Sequence, residues 1–408
     1  MKALIFEAYL AGHRGQYAGL LAAELVRLGV ETKIAIPANQ YQTPEFDVTL
    51  AHLRKSAEFV LLPELHHRPG RRLSSPELMS LRAAVKRVRP DHIYIPFADA
   101  ICRQIALPWN RFAGRLADCP VEALVMFTRG AYPSSGLRDR LRSHWVDHCV
   151  SAAPFDRIHT LDAISHGYLN RKSSRICLMP EAIAESDCKS MIEARRLLNL
   201  PADRVLVCCP GGVQERKGAH LLIEAVSRMK SGDVSLALIG RHSPYMRRFI
   251  SENCKNLIVD KRLISKDQFS TNEEFDLLFS AADILAVPYP EHHGSASILI
   301  RAARSGKMVI TSDRGWPGQM AIRHSLGVTV DVYNSDHFAA ALDSMMLTKA
   351  AVPSKSCEDF LRFHTVENYL AHWTRLLGEL HSIETRKTLA CSDVSEDNST
   401  DDSLRIAS

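Results

Sequence analysis

Residues 283–313, DILAVPYPEHHGSASILIRAARSGKMVITSD, decide how this chain folds. Ile284–Val287 is a short apolar run closed by Pro288, the pattern of a strand buried in a parallel sheet. Two prolines and a glycine between Pro288 and Gly294 prevent the strand from continuing. Ser295 is placed to cap a helix whose Ile298, Leu299, Ala302 and Ala303 share one face. Gly306 ends that helix, and Met308–Thr311 reads as the next strand. Strand, loop, helix, strand in that order aims a helix N-terminus, with its N–H groups and partial positive charge, above the sheet edge. Such a crevice suits an anion, and phosphate above all.

The same alternation extends in both directions. Ala3–Phe6 reads as a strand, Gly12-His13-Arg14-Gly15 as a flexible basic turn, Tyr17–Leu28 as a helix and Thr32–Ile36 as a second strand. That is a βαβ unit with a glycine at its switch, without a full GxGxxG fingerprint. A helix over Pro76–Val88 and strands over Asp91–Pro96, Val121–Thr128 and Ile158–Leu161 follow, with Arg129 just past a strand end. The histidines and arginines of His66–Arg72 read as a solvated basic loop. After a break near Pro180, a helix at Lys189–Leu198 leads to a strand at Arg204–Cys209 and the loop Pro210–Gly218. Helices at Ala219–Met229, Glu273–Ala281, Ser335–Met346 and Val366–Leu380, with strands at Leu236–Ile239 and Leu257–Val259, complete the pattern. Alternating strands and helices predict an α/β fold of two doubly wound, Rossmann-like domains.

A chain of 408 residues exceeds one ordinary core, which also argues for two domains. Met1–Phe6 resembles the start of a signal peptide, but Glu7 interrupts it, and no apolar run is long enough to span a bilayer. The expected location is cytoplasmic. Ten cysteines lack any metal-ligand spacing and read as reduced and buried. Residues 1–180 carry 24 Lys and Arg against 16 Asp and Glu. That basic half suits peripheral contact with an anionic inner-membrane face or an acidic acceptor; no nucleic-acid motif accompanies it.

Four blocks of the second half resemble the retaining family 4 of GT-B glycosyltransferases: RVLVCCPGGVQERKGAHLLIEAV, SAADILAVPYPEHHG, ILIRAARSGKMVITSDRG and RFHTVENYLAHWTRLL. The resemblance implies two Rossmann-like domains facing a cleft, with the donor on the second and the acceptor on the first. The implied parts are an acceptor domain at 1–179, a connector at 180–200 and a nucleotide-sugar domain at 201–358. A C-terminal helix at 359–383 would cross back to the first domain, before a disordered tail at 384–408.

The implied donor is a nucleotide diphosphate-sugar, with no cofactor and no metal, since no DxD motif stands at a strand end. Gly211, Gly212, Arg216, Lys217, Gly294, Ser295, Ala296, Ser297 and Arg301 form the expected donor site. Arg216, Lys217 and the N–H groups near Gly294 and Ser295 would stabilise charge on the departing diphosphate. The family usually has two glutamates eight positions apart, and here those positions hold His293 and Arg301. Arg301 cannot accept a hydroxyl proton, and would add positive charge beside the phosphates or meet an acidic sugar. His293, Glu291 and Asp99 are the catalytic candidates, His293 as a proton donor near neutrality. Gly12, His13, Arg14 and Arg129 are expected on the acceptor side, which would take a carbohydrate or lipid hydroxyl. A hexosyltransferase is the leading reading. The alternatives are a non-catalytic nucleotide-sugar-binding protein and a nucleotide-sugar epimerase.

Overall fold

The structure is a computed structural model, and it describes residues 1–65, 75–107, 110, 116–133, 136–185, 189–230, 232–268, 272–347, 355–375 and 377–378. The His66–Arg72 loop, Leu380 and the 384–408 tail lie outside those residues.

Two parallel sheets organise the chain. The first holds β1 (Lys2–Phe6), β2 (Glu31–Pro37), β3 (Glu58–Leu62), β4 (His92–Ile95), β5 (Val121–Val125), β6 (Arg157–Thr160) and β7 (Ile176–Leu178), in the order β3-β2-β1-β4-β5-β6-β7. The second holds β8 (Val205–Cys208), β9 (Val234–Ile239), β10 (Leu263–Lys266), β11 (Ile284–Val287), β12 (Met308–Ser312) and β13 (Gly327–Val330), in the order β10-β9-β8-β11-β12-β13. Every pairing is parallel, and central strands such as β4, β9 and β11 are buried along their length. Helices therefore cover both faces, as the continuous apolar runs require. The strand order of each sheet reverses once, at β1/β4 and at β8/β11. Those two switch points are where a doubly wound sheet opens a crevice beyond its strand ends.

The chain's last described segment returns to the first sheet. Tyr369, Trp373 and Leu377 are buried with Tyr17, Leu21, Tyr94 and Leu124 in one core cluster. At the crossing, the Glu181 N–H donates to His364 Nδ1 at 2.9 Å. Straps of this kind hold the two lobes in register.

Several expectations are corrected. Leu257–Val259 lies in the short helix Lys255–Val259, with Ile258 and Val259 exposed, and the strand is the following segment Leu263–Lys266. Three apolar residues in a row suit either element, and burial decides between them. His13, Arg14 and Gly15 are not a flexible turn but the first turn of the helix His13–Arg27. Ser295 is not the helix cap, because Ala296 holds that position and the helix runs Ser297–Arg304. The eight cysteines among the described residues are free, six of them buried and Cys119 and Cys177 half-buried.

Candidate donor site

The β8/β11 switch point brings two loops together. Gly218 ends the glycine-rich loop after β8 in the left-handed region, at φ +72°, and a Cβ there would stand 2.2 Å from the Pro288 carbonyl oxygen. Only glycine lets the loop seat so closely on the end of β11. The seating carries Lys217 inward: its Nζ lies 3.2 Å from where a Gly211 Cβ would be and 5.7 Å from the Tyr289 ring centre. The same Gly211 Cβ position is 3.9 Å from Ile298 Cδ1, in the first turn of the Ser297–Arg304 helix. Lys217 and that helix start therefore flank one point. Burial lowers the Lys217 pKa and the Arg216 charge lowers it further, opposed by Cys209. An ammonium stripped of water beside a second cation is stabilised by a bound anion.

Arg216 is exposed, with its Nε donating to Gln214 Oε1 at 2.8 Å. His292 lies under the influence of both cations. Burial, with Arg216, His293 and Lys217, pushes its pKa down to about 4, against a hydrogen bond to the Ser295 carbonyl oxygen. Its ring is neutral at pH 7 and braces the loop. Beside it, Ser295 Oγ is buried without a hydrogen-bond partner among the described residues. A buried hydroxyl without a partner costs free energy until something bonds it. Gly212 lies behind, 3.6 Å from the Arg241 carbonyl oxygen by its missing Cβ.

The first domain closes over this loop. The Tyr132 hydroxyl donates to Asp162 Oδ2 at 2.5 Å, with the Gly294 backbone beside it. Gly294, at φ +98°, would bring a Cβ within 2.7 Å of the Met126 carbonyl oxygen, so the lobes meet backbone to backbone. The N–H groups near Gly294 and at the Ser297–Arg304 helix start, with Ser295 Oγ, are the candidate donors on that side.

The catalytic candidates fare unequally. His293 packs edge-on against Tyr132, with centres 4.9 Å apart, and burial and Arg129 lower its pKa. That shift disfavours its charged form and weakens the proton-donor role expected of it. Glu291 is exposed on the same loop. Asp99 accepts the N–H groups of Met126 (3.0 Å) and Phe127 (2.8 Å), and burial raises its pKa against those bonds. It shapes the loop that meets Gly294 and is removed from the catalytic set. Arg301 is ion-paired with Asp276 at 2.9 Å and lies 5.6 Å from the centre of the Phe275 ring. Phe275 itself approaches the Gly211 Cβ position to 3.7 Å, so Arg301 and Asp276 border the crevice together.

On the facing domain, the β1/β4 switch point holds a residue the sequence reading passed over. Glu7 is fully buried, and its Oε1 accepts from Arg14 Nε at 2.8 Å and from the Tyr9 N–H at 3.1 Å. Its Oε2 has no partner among the described residues, and burial raises its pKa to about 7 despite Arg14. Arg14 in turn lies 4.0 Å from the centre of the Phe97 ring. Gly12 leads into that helix at φ 67°, and His13 stacks on Tyr17 with centres 5.8 Å apart. The Tyr17 hydroxyl donates to Glu181, and the Arg301 charge reaches it across the cleft. Arg129 pairs with Asp139 at 3.8 Å, near His293 rather than with the Gly12 group. A carboxylate directly after the central strand was the visible signal for Glu7. Tyr132, Asp276 and Glu181 are brought in by tertiary packing and carry no such signal.

Residues 190–360 match the family of glycosyl transferases group 1. A lipopolysaccharide core biosynthesis glycosyltransferase, LpsE of Rhizobium meliloti (strain 1021), is 26% identical over 152 residues, 37% of this chain and 42% of LpsE. The match thus spans less than half the length of that curated relative. Among solved structures, the sucrose-phosphate synthase of Thermosynechococcus elongatus superposes with a TM-score of 0.71 at 17% identity, covering 94% of this chain and all of that one. Anabaena HepE in complex with UDP superposes with a TM-score of 0.68 at 14% identity, covering 93% and 100%. The fold is GT-B, two parallel-sheet α/β domains facing each other.

Proposed function

We propose, from the match of residues 190–360 to the glycosyl transferases group 1 family, that this chain transfers a hexose from a nucleotide diphosphate-sugar to an acceptor hydroxyl without a metal ion. One observation carries the reading: Lys217 and the Ser297–Arg304 helix start converge on Gly211, beside a buried Ser295 hydroxyl without a partner among the described residues. The bond from the anomeric carbon to the diphosphate oxygen breaks, and the acceptor oxygen bonds that carbon and loses its proton. Charge grows on the departing diphosphate. Fixed donors already facing it lower the barrier, because none has to reorganise during the reaction. Lys217, Arg216, Ser295 Oγ and the helix N–H groups supply that field in place of a metal. HepE has been solved with UDP and with UDP-glucose, which makes a uridine donor the first to test.

Glu7, buried at the β1/β4 switch point of the first domain, is the carboxyl suited to take up the acceptor proton once substrate reaches it, its pKa of about 7 matching a base at neutral pH. The acceptor is a carbohydrate or lipid hydroxyl, and the basic first half suits contact with an anionic surface. No helix among the described residues is long and apolar enough to cross a membrane.

Incubation with a panel of nucleotide sugars, with and without acceptors, tests the reaction. Release of nucleoside diphosphate that depends on acceptor supports transfer. Binding without turnover favours a scaffold, and sugar inversion without acceptor favours an epimerase. In the same panel, Lys217→Ala is expected to weaken nucleotide binding at least tenfold, about 1.4 kcal/mol for a charge-assisted contact. Titration calorimetry checks it, and unchanged affinity removes Lys217 from the site.

A further inference from the structure

The helix Leu137–Ala152 carries three large apolar side chains into solvent: Leu137 is 72%, Leu141 62% and Trp145 46% exposed. Spaced four apart, they drift over an arc of about 80° on the helix surface. Arg138 and Arg142 border that arc on one side, Arg140 and His144 on the other, and all four are exposed. The opposite face buries Ser143, Asp147 and Val150 against the domain. Of the helix's two carboxylates, Asp147 is buried and Asp139 is turned to Arg129 at 3.8 Å. Exposed His148 falls between Leu137 and Leu141 on the same arc, so the outward face is mainly apolar at its centre, flanked by arginines at both edges and without an acidic group.

A two-fold contact between copies would set these arginines against each other. An anionic bilayer complements both features at once, taking Leu and Trp at the level of its headgroups and pairing the arginines with lipid phosphates. Asp139 ties the helix to the cleft through Arg129, which acts on His293 and lies two residues after Phe127. Phe127, 51% exposed beyond the end of β5, packs on Phe97 with ring centres 6.1 Å apart, and Phe97 covers Arg14.

We propose that Leu137–Ala152 is an interfacial helix that seats the first domain on an anionic bilayer, with the mouth of the cleft facing the lipid. This goes beyond the donor-site reading and does not depend on it. The test is flotation of the full chain with phosphatidylcholine vesicles, with and without phosphatidylglycerol. Wild type should float only with the anionic vesicles and be released by high salt. Replacing Arg138, Arg140 and Arg142 together by glutamine should lower partitioning on the order of a hundredfold, at roughly fivefold per charge. Leu141→Gln with Trp145→Gln should lower it at least about tenfold while leaving the charge intact. Trp145 emission should shift to the blue on vesicle binding, a change absent from Trp145→Phe.

Calorimetric binding of UDP, read on the same proteins, separates the two readings. Variants that still bind UDP are folded, and a wild type that floats without binding UDP would sink only the donor site. The helix is ruled out if wild type does not float with anionic vesicles, or if neither set of changes lowers flotation. It is also ruled out if light scattering finds a dimer that Leu141→Gln splits.

Discussion

Replacing Trp373 with alanine is expected to cost about 3–5 kcal/mol of stability, the range for emptying a large aromatic site in a packed core. The side chain is fully buried, edge-on to Tyr94 at 5.7 Å and 4.7 Å from the His159 ring. These partners belong to β4 and β6, while Trp373 comes from a segment that follows the whole second domain. A cavity there weakens the first core and also loosens the strap across the lobes. Denaturant unfolding measures the cost. A loss under about 1 kcal/mol would mean that the terminal segment merely rests on the domain.

The second large effect concerns Glu7 and pH. Its pKa is about 7 in the folded chain against an ordinary 4.5, because burial outweighs the help of Arg14 and of the Tyr9 and Ala8 N–H groups. Between those values the folded chain keeps a proton that the unfolded chain has released. Stability from Glu7 is therefore complete below pH 4.5 and is lost as pH rises through 7. Glu7→Gln cannot ionise and escapes that loss. Its stability relative to wild type should improve by about 3 kcal/mol between pH 4.5 and pH 8, at roughly 1.4 kcal/mol for each tenfold difference in proton affinity between the folded and unfolded chains. Urea unfolding of both proteins at each pH reads the difference. A gap that does not move with pH would mean that Glu7 is solvated or already ionised.

How much of this could be read from sequence depended on whether neighbours in the chain carry the information. Pro288 and Gly306 punctuate the pattern so strongly that β11 and β12 fall almost residue for residue where expected. Lys217 was legible because the glycines that deliver it are its neighbours. By contrast, β3 and β7 are short strands on the first sheet, and propensity alone does not separate them from loops. The helix Leu137–Ala152 also went unread, because its exposed leucines break the usual rule that the apolar stripe faces inward. The Ser295 misreading is one of register: capping falls one residue later, at Ala296, and the serine hydroxyl is left for another partner. Asp99 looked catalytic because it follows a strand end, yet its oxygens are committed to backbone N–H groups from a loop that lies 27 residues on.

The account rests on a diphosphate lying between Lys217 and the start of the Ser297–Arg304 helix, and a crystal structure with UDP or UDP-glucose bound tests that most directly. Phosphate oxygens are expected within about 3 Å of both Lys217 Nζ and Ser295 Oγ, the distance of a formed hydrogen bond. Phosphates found at the β1/β4 mouth, or out of reach of Lys217, would contradict it.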